Sequence, residues 1–171
     1  MNRRNWIASL SGLFAASVPI FGMGTMASAG AAEKFPLAKS KDEWKKLLAP
    51  DAYRVLFEEG TEPAGSSALN AEKRPGTFVC AACNLPLFDA AHKYESGTGW
   101  PSFWQGLPGA LGTSTDFKLI YTRTEYHCAR CGGHQGHVFN DGPKPTGKRY
   151  CNNGVALKFV AKAVTLPALR T

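Results

Sequence analysis

The sequence has no run of basic residues, and that absence sets the first limit on its function. Twenty lysines and arginines against thirteen acids give a formal charge of +7. That balance would suit nucleic acid or an anionic surface if the charges clustered. They are scattered instead, which reads as a solvated surface. Nor is there an unbroken apolar run of the ~20 residues that a membrane-spanning helix needs. The nearest stretch, Ile7 to Met26, is interrupted by Ser9, Ser11, Gly12, Ser17, Pro19, Gly22 and Gly24. No acid precedes Glu33, no internal repeat is visible, and no low-complexity tract follows the first thirty residues. With 44% hydrophobic and 19% charged residues, the composition is globular rather than disordered. A length of 171 residues suits one domain.

Residues 1–29 read as a cleavable export signal. Asn2-Arg3-Arg4-Asn5 supplies a basic start, the interrupted apolar stretch follows, and Ala27-Ser28-Ala29 is an A-x-A cleavage pattern. Arg3-Arg4 followed by Trp6 and Ile7 resembles a twin-arginine signal, with a general secretory signal as the alternative. Either route predicts a protein exported into the bacterial envelope, with a periplasmic destination. Removing Arg3 and Arg4 from the net +7 leaves a mature chain near +5.

Beyond the signal, residues 30–39 read as a lead-in, 40–162 as the functional domain and 163–171 as a tail. Ser40-Lys41-Asp42-Glu43 fits a capping box, with Trp44, Leu47 and Leu48 on one helical face. Pro50 restarts the chain, and Asp51–Glu59 reads as a second short helix stopped by Gly60, with Tyr53, Leu56 and Phe57 facing a core. After Gly60 the pattern changes to short β segments: Thr77–Cys80, Pro86–Phe88, Leu119–Thr124, His137–Phe139 and Ala156–Val160. The expected architecture is mainly β, with a pair of small N-terminal helices.

Five cysteines carry most of the chemical information. Cys80-Ala81-Ala82-Cys83 and Cys128-Ala129-Arg130-Cys131 are two C-x-x-C pairs, each presenting two sulfurs to one point. Together they can complete a tetrahedral thiolate shell around Zn²⁺. Two disulfides or a redox-active C-x-x-C are the competing readings. The 44 residues between the pairs exceed ordinary zinc-ribbon spacing, but loop-closure cost grows only logarithmically with length. Asn84, and Gly132-Gly133 after the second pair, suit the tight turns of such a site. A closed four-thiolate shell has no open position, so it would hold the fold rather than catalyse.

Cys151 is left without a partner, which points to a reactive thiol; a buried structural cysteine is the alternative. Arg149 and Asn153 sit two residues to either side, so in an extended strand all three share a face. A cation there would favour the thiolate, and an amide could orient a substrate. His134-Gln135-Gly136-His137 lies upstream. Two histidines near a C-x-x-C pair are alternative zinc ligands, but with four cysteines to fill the shell they read first as acid/base or orienting groups, with core residues as the plain alternative. Ser96-Gly97-Thr98-Gly99-Trp100-Pro101-Ser102-Phe103 is a glycine-rich turn opening into aromatics that either line an apolar pocket or fill the core.

Taken together, Ser96–Phe103, the two C-x-x-C pairs, His134–Phe139, Asp141-Gly142-Pro143 and Pro145–Asn153 closely resemble the methionine-R-sulfoxide reductase B family. Tyr53–Leu56 and Gly60–Pro63 resemble its N-terminal signature, so the resemblance spans about residues 40 to 160. It implies two small antiparallel sheets of the β-tent kind behind short helices, with a structural zinc site. It implies reduction of the R epimer of methionine sulfoxide, free or in peptides, by Cys151. By the same resemblance, Arg149, His134, His137 and Asn153 shape the pocket, while Trp100 and Phe139 hold the substrate methyl group. Many relatives carry a resolving cysteine where this chain has Thr98, so the resemblance here implies recycling by an external, thioredoxin-like thiol donor. A monomer without nucleic-acid or stable membrane partners is expected.

Overall fold

The computed structural model describes residues 35–116 and 122–171. Two short helices lead in: α1, Lys41–Leu47, and α2, Pro50–Glu58. The capping box forms as expected, with Ser40 Oγ accepting Glu43 N–H and Glu43 Oε2 accepting Ser40 N–H at 2.8 Å. Trp44 is buried and stacks on Phe57, whereas Leu47 is 46% exposed, because a seven-residue helix turns only one residue fully inward. The second helix ends one residue earlier than expected. Glu59, not Gly60, takes the left-handed position at φ 52°, and Gly60 N–H closes the turn on Arg54 O.

Among the described residues nine strands follow, all paired antiparallel. In chain order they are β1 Gly76–Cys80, β2 Pro86–Asp89, β3 Lys93–Tyr94, β4 Ser102–Phe103, β5 Leu111–Asp116, β6 Arg123–Cys128, β7 His134–Phe139, β8 Arg149–Asn152 and β9 Leu157–Ala161. They form a three-stranded sheet ordered β2-β1-β9 and a six-stranded sheet ordered β3-β4-β8-β7-β6-β5. Rings from both sheets interlock to make the core. Phe88 of β2 stacks on Phe103 of β4 with centroids 4.1 Å apart, and Phe78 of β1 meets Phe103 edge-on at 4.9 Å. Phe78, Phe88, Phe103 and Tyr126 are all 0% exposed. Each fully buried ring contributes roughly 1.5–3 kcal/mol, with about 0.5–1.5 kcal/mol more for each ring pair.

Several boundaries differ from expectation. Strand β6 runs Arg123–Cys128, displaced from the expected Leu119–Thr124, of which Leu119–Tyr121 lie outside the described residues. Ala156 closes a 3-10 turn before β9, and β7 starts three residues earlier, at His134. Strands β3, β4 and β5 carry no pattern that announces them. The first segment of the fold and the last are each fastened to a cysteine turn: Leu37 N–H donates to Arg130 O, and Arg170 N–H donates to Cys83 O. No helix among the described residues is long and apolar enough to cross a membrane.

Candidate active site and metal centre

The two C-x-x-C turns are built alike. In the first, Asn84 at φ 62° lets its N–H return to Cys80 O; in the second, Gly132 at φ 70° does the same to Cys128 O, both at 2.9 Å. These left-handed positions fall where the sequence offers Asn and Gly, the residues that tolerate them. The turns face each other. Cys80 and Cys131 sulfurs are 3.7 Å apart, those of Cys83 and Cys128 are 3.5 Å apart, and all four lie within 4.8 Å of one another. A tetrahedral shell with metal–sulfur bonds of about 2.3 Å has edges of about 3.8 Å, so the spacing fits a four-thiolate metal site. It does not fit disulfides, whose sulfurs sit at about 2.05 Å, and all five cysteines are free.

Cys151 lies outside this cluster. It is half-buried on β8, pairing with Ser102 of β4 on one side and His137 of β7 on the other. The close approach of β7 depends on Gly136: a Cβ there would come within 1.9 Å of Cys151 O. Cys151 opens on a pocket of about 130 Å³ lined by Trp100, Phe139, His137, Asn153, Thr61 and Arg123. That volume suits the end of one side chain rather than a cofactor, whose sites usually run ~300–1,000 Å³. A larger cleft of about 630 Å³, beside Lys73–Thr77 and Val160–Ala161, contains no thiol or imidazole.

Arg149 stands beside Cys151, but its charge is already engaged. It forms two 2.8 Å bonds to the Asp141 carboxylate and lies over the Phe139 ring at 4.3 Å. Burial pushes the Cys151 thiol above its ordinary value of 9.0, outweighing the nearby Arg149 charge and Thr98, which favour ionisation. The sequence-based expectation of a thiolate populated by Arg149 is therefore corrected: the cation acts in the expected direction, yet desolvation wins.

The histidines separate into two arrangements. His137 lines the pocket, and its Nε2 is 2.8 Å from Asp116 Oδ2, which also takes a 2.6 Å bond from Arg123. An ionised carboxylate only accepts, so neutral His137 carries its hydrogen on Nε2 and leaves Nδ1 as an acceptor. Burial lowers the His137 pKa below 6.5 despite the Asp116 bond. His134 is buried behind it, rings 5.5 Å apart, with Nδ1 2.7 Å from Glu125 Oε1. Burial would raise the Glu125 carboxyl, but its His134 bond and the neighbouring imidazoles more than offset that.

Asn153 follows the end of β8 and is buried. Its Oδ1 accepts Glu62 N–H, and its Nδ2 donates to Gln135 O, both at 3.0 Å. Trp100 Nε1 donates to Glu62 O at 3.1 Å. One backbone unit, residue 62, thus fixes both an aromatic wall and the amide. The Glu62 carboxylate in turn accepts the N–H groups of Gly154 and Val155. Sequence reasoning did not single out Asp116, Arg123 or Glu125, and met Glu62 only as part of Gly60–Pro63, without a role. Their partners lie 9 to 93 positions away (Arg123–Asp116, at seven, excepted), so no local pattern reveals the contacts they make.

Comparison with known proteins agrees with this geometry. Residues 48–161 match the SelR domain family. The chain is 51% identical over 126 residues to the peptide methionine sulfoxide reductase MsrB of Leptospira interrogans, covering 73% of this chain and 96% of that protein. It is 49% identical over 122 residues to the MsrB of Methanosarcina barkeri, covering 71% and 86%. It is 43% identical over 153 residues to the chloroplastic peptide methionine sulfoxide reductase B1 of Arabidopsis thaliana, covering 85% and 76%. A free thiol in an aromatic pocket, set apart from a four-cysteine cluster and matched along its domain to these enzymes, places the chain in the methionine-R-sulfoxide reductase B family of oxidoreductases.

Proposed function

We propose that this chain reduces the R epimer of methionine sulfoxide, free or in peptides, to methionine, with Cys151 as the nucleophile. The observation that carries the reading is the position of Cys151: half-buried, free of the metal cluster, and facing a small pocket between Trp100 and Phe139. The rings would hold the methyl group and leave one face of the sulfoxide toward the thiol.

The residues suggest the order of events. At rest, Cys151 is a thiol and His137 a neutral imidazole with Nδ1 as acceptor. Cross-strand pairing puts the two side chains on one face as neighbours. His137 takes the Cys151 proton, directly or through water, and the thiolate attacks the sulfoxide sulfur. The imidazolium, held by Asp116, returns the proton to the sulfoxide oxygen. The hydroxyl then shifts to the Cys151 sulfur as the substrate S–O bond and the S–S bond made in the attack both break, so Cys151 becomes a sulfenic acid and methionine leaves with its sulfur reduced by two electrons. An external dithiol, a thioredoxin-like protein, then reduces the sulfenic acid, giving back the thiol and releasing water with formation of the donor's disulfide. His134 acts through Glu125 and the His137 ring, and Asn153 presents its second amide hydrogen to the substrate.

The metal that best suits the four sulfurs is zinc, one per chain, held by Cys80, Cys83, Cys128 and Cys131; when bound it supplies structure and no open coordination position. The export signal at residues 1–29, a domain over 40–162, a periplasmic destination by the twin-arginine route and a monomeric state complete the proposal. Cys151→Ser is the test. It should lose turnover of the R sulfoxide with dithiothreitol while keeping its metal and fold. An active variant would remove Cys151 from the chemistry.

A further inference from the structure

A buried polar chain runs between the four-cysteine cluster and the strand of the nucleophile. Tyr126, Gln135 and Asn152 are each 0% exposed. The Tyr126 hydroxyl donates to Asn152 Oδ1 at 2.7 Å, and Asn152 Nδ2 donates to Gln135 Oε1 at 3.4 Å. Gln135 Nε2 then donates to the Cys80 sulfur at 3.6 Å, an ordinary separation for an acceptor as large as sulfur. Each amide gives its second hydrogen to a backbone carbonyl: Asn152 Nδ2 to Asn153 O at 2.8 Å, and Gln135 Nε2 to Gly133 O at 3.5 Å.

A backbone carbonyl can only accept, so these last two contacts fix which end of each amide is nitrogen. Five hydrogens then meet five acceptors, and every link of the chain points its donor toward Cys80. A chain ordered in one direction polarises along its length. Four thiolates around a divalent ion carry a net charge of about −2, and the hydrogen-bearing end of the chain rests on that charge. The other end reaches the pocket. Asn152 follows Cys151 on β8, and Gln135 O accepts both the N–H of Asn153 at 2.8 Å and its Nδ2 at 3.0 Å. Gln135 therefore holds the cluster with its side chain and the amide of the pocket with its backbone.

We propose that Gln135 is a positioning residue of the metal centre, donating to the metal-bound Cys80 sulfur, and that with Asn152 and Tyr126 it forms a one-way hydrogen-bond chain through which the metal is felt beside Cys151. The inference rests on the four cysteines holding a metal, as read above, and adds no step to the reduction. Packing alone does not call for these residues. An apolar trio would fill the same space, and a buried polar network stabilises only when each of its members is paired. Here the pairing is complete because a cluster sulfur takes the last hydrogen.

Two variants separate this role from space-filling. Gln135→Leu removes the donor to Cys80 and strands a hydrogen of Asn152. Gln135→Leu combined with Tyr126→Phe and Asn152→Leu makes the trio apolar, while Gly133 O and Asn153 O keep their backbone donors, Cys128 N–H and Ala156 N–H. Removing all the partners together costs less than stranding one, so the triple variant should melt above the single one. Both still lack the donor to Cys80. Partners of metal ligands are typically worth 10–100-fold in affinity, so each zinc-loaded variant should give its metal to a chromogenic chelator about tenfold faster than the parent. If Gln135 only filled space, release would follow melting temperature and the triple variant would hold zinc as long as the parent does; that result overturns the proposal. The chain has a readout of its own in the NMR signals of the side-chain amides. Exchanging zinc for cadmium should move those of Gln135 and Asn152 in the parent, and should leave that of Asn152 unmoved in Gln135→Leu. An Asn152 signal indifferent to the metal in the parent also overturns the proposal. If Gln135→Leu fails to fold, the triple variant and the spectra of the parent decide. No sulfoxide enters these measurements, so their failure leaves the assigned reaction standing. A parent protein that takes up no zinc would instead remove the metal reading, and this inference with it.

Discussion

Glu62→Gln isolates the carboxylate that ties the entry segment to the chain just past Cys151. The backbone of residue 62 keeps its bonds to Asn153 and Trp100, so only the side-chain end changes. In the parent, two carboxylate oxygens accept two N–H groups, from Gly154 and Val155; Glu62 and Gly154 are buried and Val155 partly so. A glutamine offers one oxygen and one NH₂, so one backbone N–H must face another donor. Leaving that donor unpaired costs about 1–3 kcal/mol, and replacing the charged acceptor of the other by a neutral one costs about 1 kcal/mol more. The expected loss is therefore about 2–4 kcal/mol. Urea unfolding of the metal-loaded protein at pH 7 measures it, with an unchanged m-value to certify that the same structure is lost. Amide exchange should localise the effect, with faster exchange at Gly154 and Val155 than elsewhere in the turn. A loss below 0.5 kcal/mol, with both amides protected as before, would refute the claim that this carboxylate holds the turn.

Three other outcomes follow from the site. Since His137 lies below 6.5 and Cys151 above 9.0, the thiol–imidazole pair stays in one protonation state between them. kcat/KM should accordingly be flat from about pH 7 to 9 and fall at lower pH as His137 protonates, while alkylation of Cys151 climbs across the same range. A kcat/KM that rises tenfold per pH unit there would contradict proton transfer within the pair. Asp116→Asn removes a carboxylate that raises the His137 pKa, so the acid limb should move to lower pH and kcat/KM should drop by about 10–100-fold; an unmoved limb would leave Asp116 without a role. For the metal, a thiol reagent should find one reactive cysteine in the native protein and five after chelation and denaturation, with a fall in Tm on chelation alone; five reactive thiols in the native state would dissolve the proposed shell.

The sequence made some of this visible because the relevant signals are local. A capping box spans four residues, and Ser40 and Glu43 fulfil it. The C-x-x-C turns are legible from Cys80–Asn84 and Cys128–Gly132, since the left-handed residue that each turn needs is an Asn or a Gly in the sequence. Strands β1, β2 and β9 have enough buried apolar residues to show themselves. Strands β3 and β4 are two residues each, and their identity lies in their partners rather than in their own side chains. Strand β5, Leu-Gly-Thr-Ser-Thr-Asp, is an edge strand with three consecutive exposed residues, so it lacks the alternation that marks a half-buried strand. The site divides the same way. Cys151, Arg149 and Asn153 were evident as neighbours in sequence. Asp116 meets His137 only after β5, β6 and β7 have paired, and Glu62 reaches Gly154 across 92 positions.

The fastening of Leu37 to one cysteine turn and Arg170 to the other has a mechanical consequence. The pair of cysteine turns works as a double buckle: both ends of the folded body are belted to the same small block of sulfur. Opening that block should release two straps at once, near residue 37 and near residue 170. A protease added after chelation should therefore nick both margins together, leaving a trimmed middle that still carries Cys151.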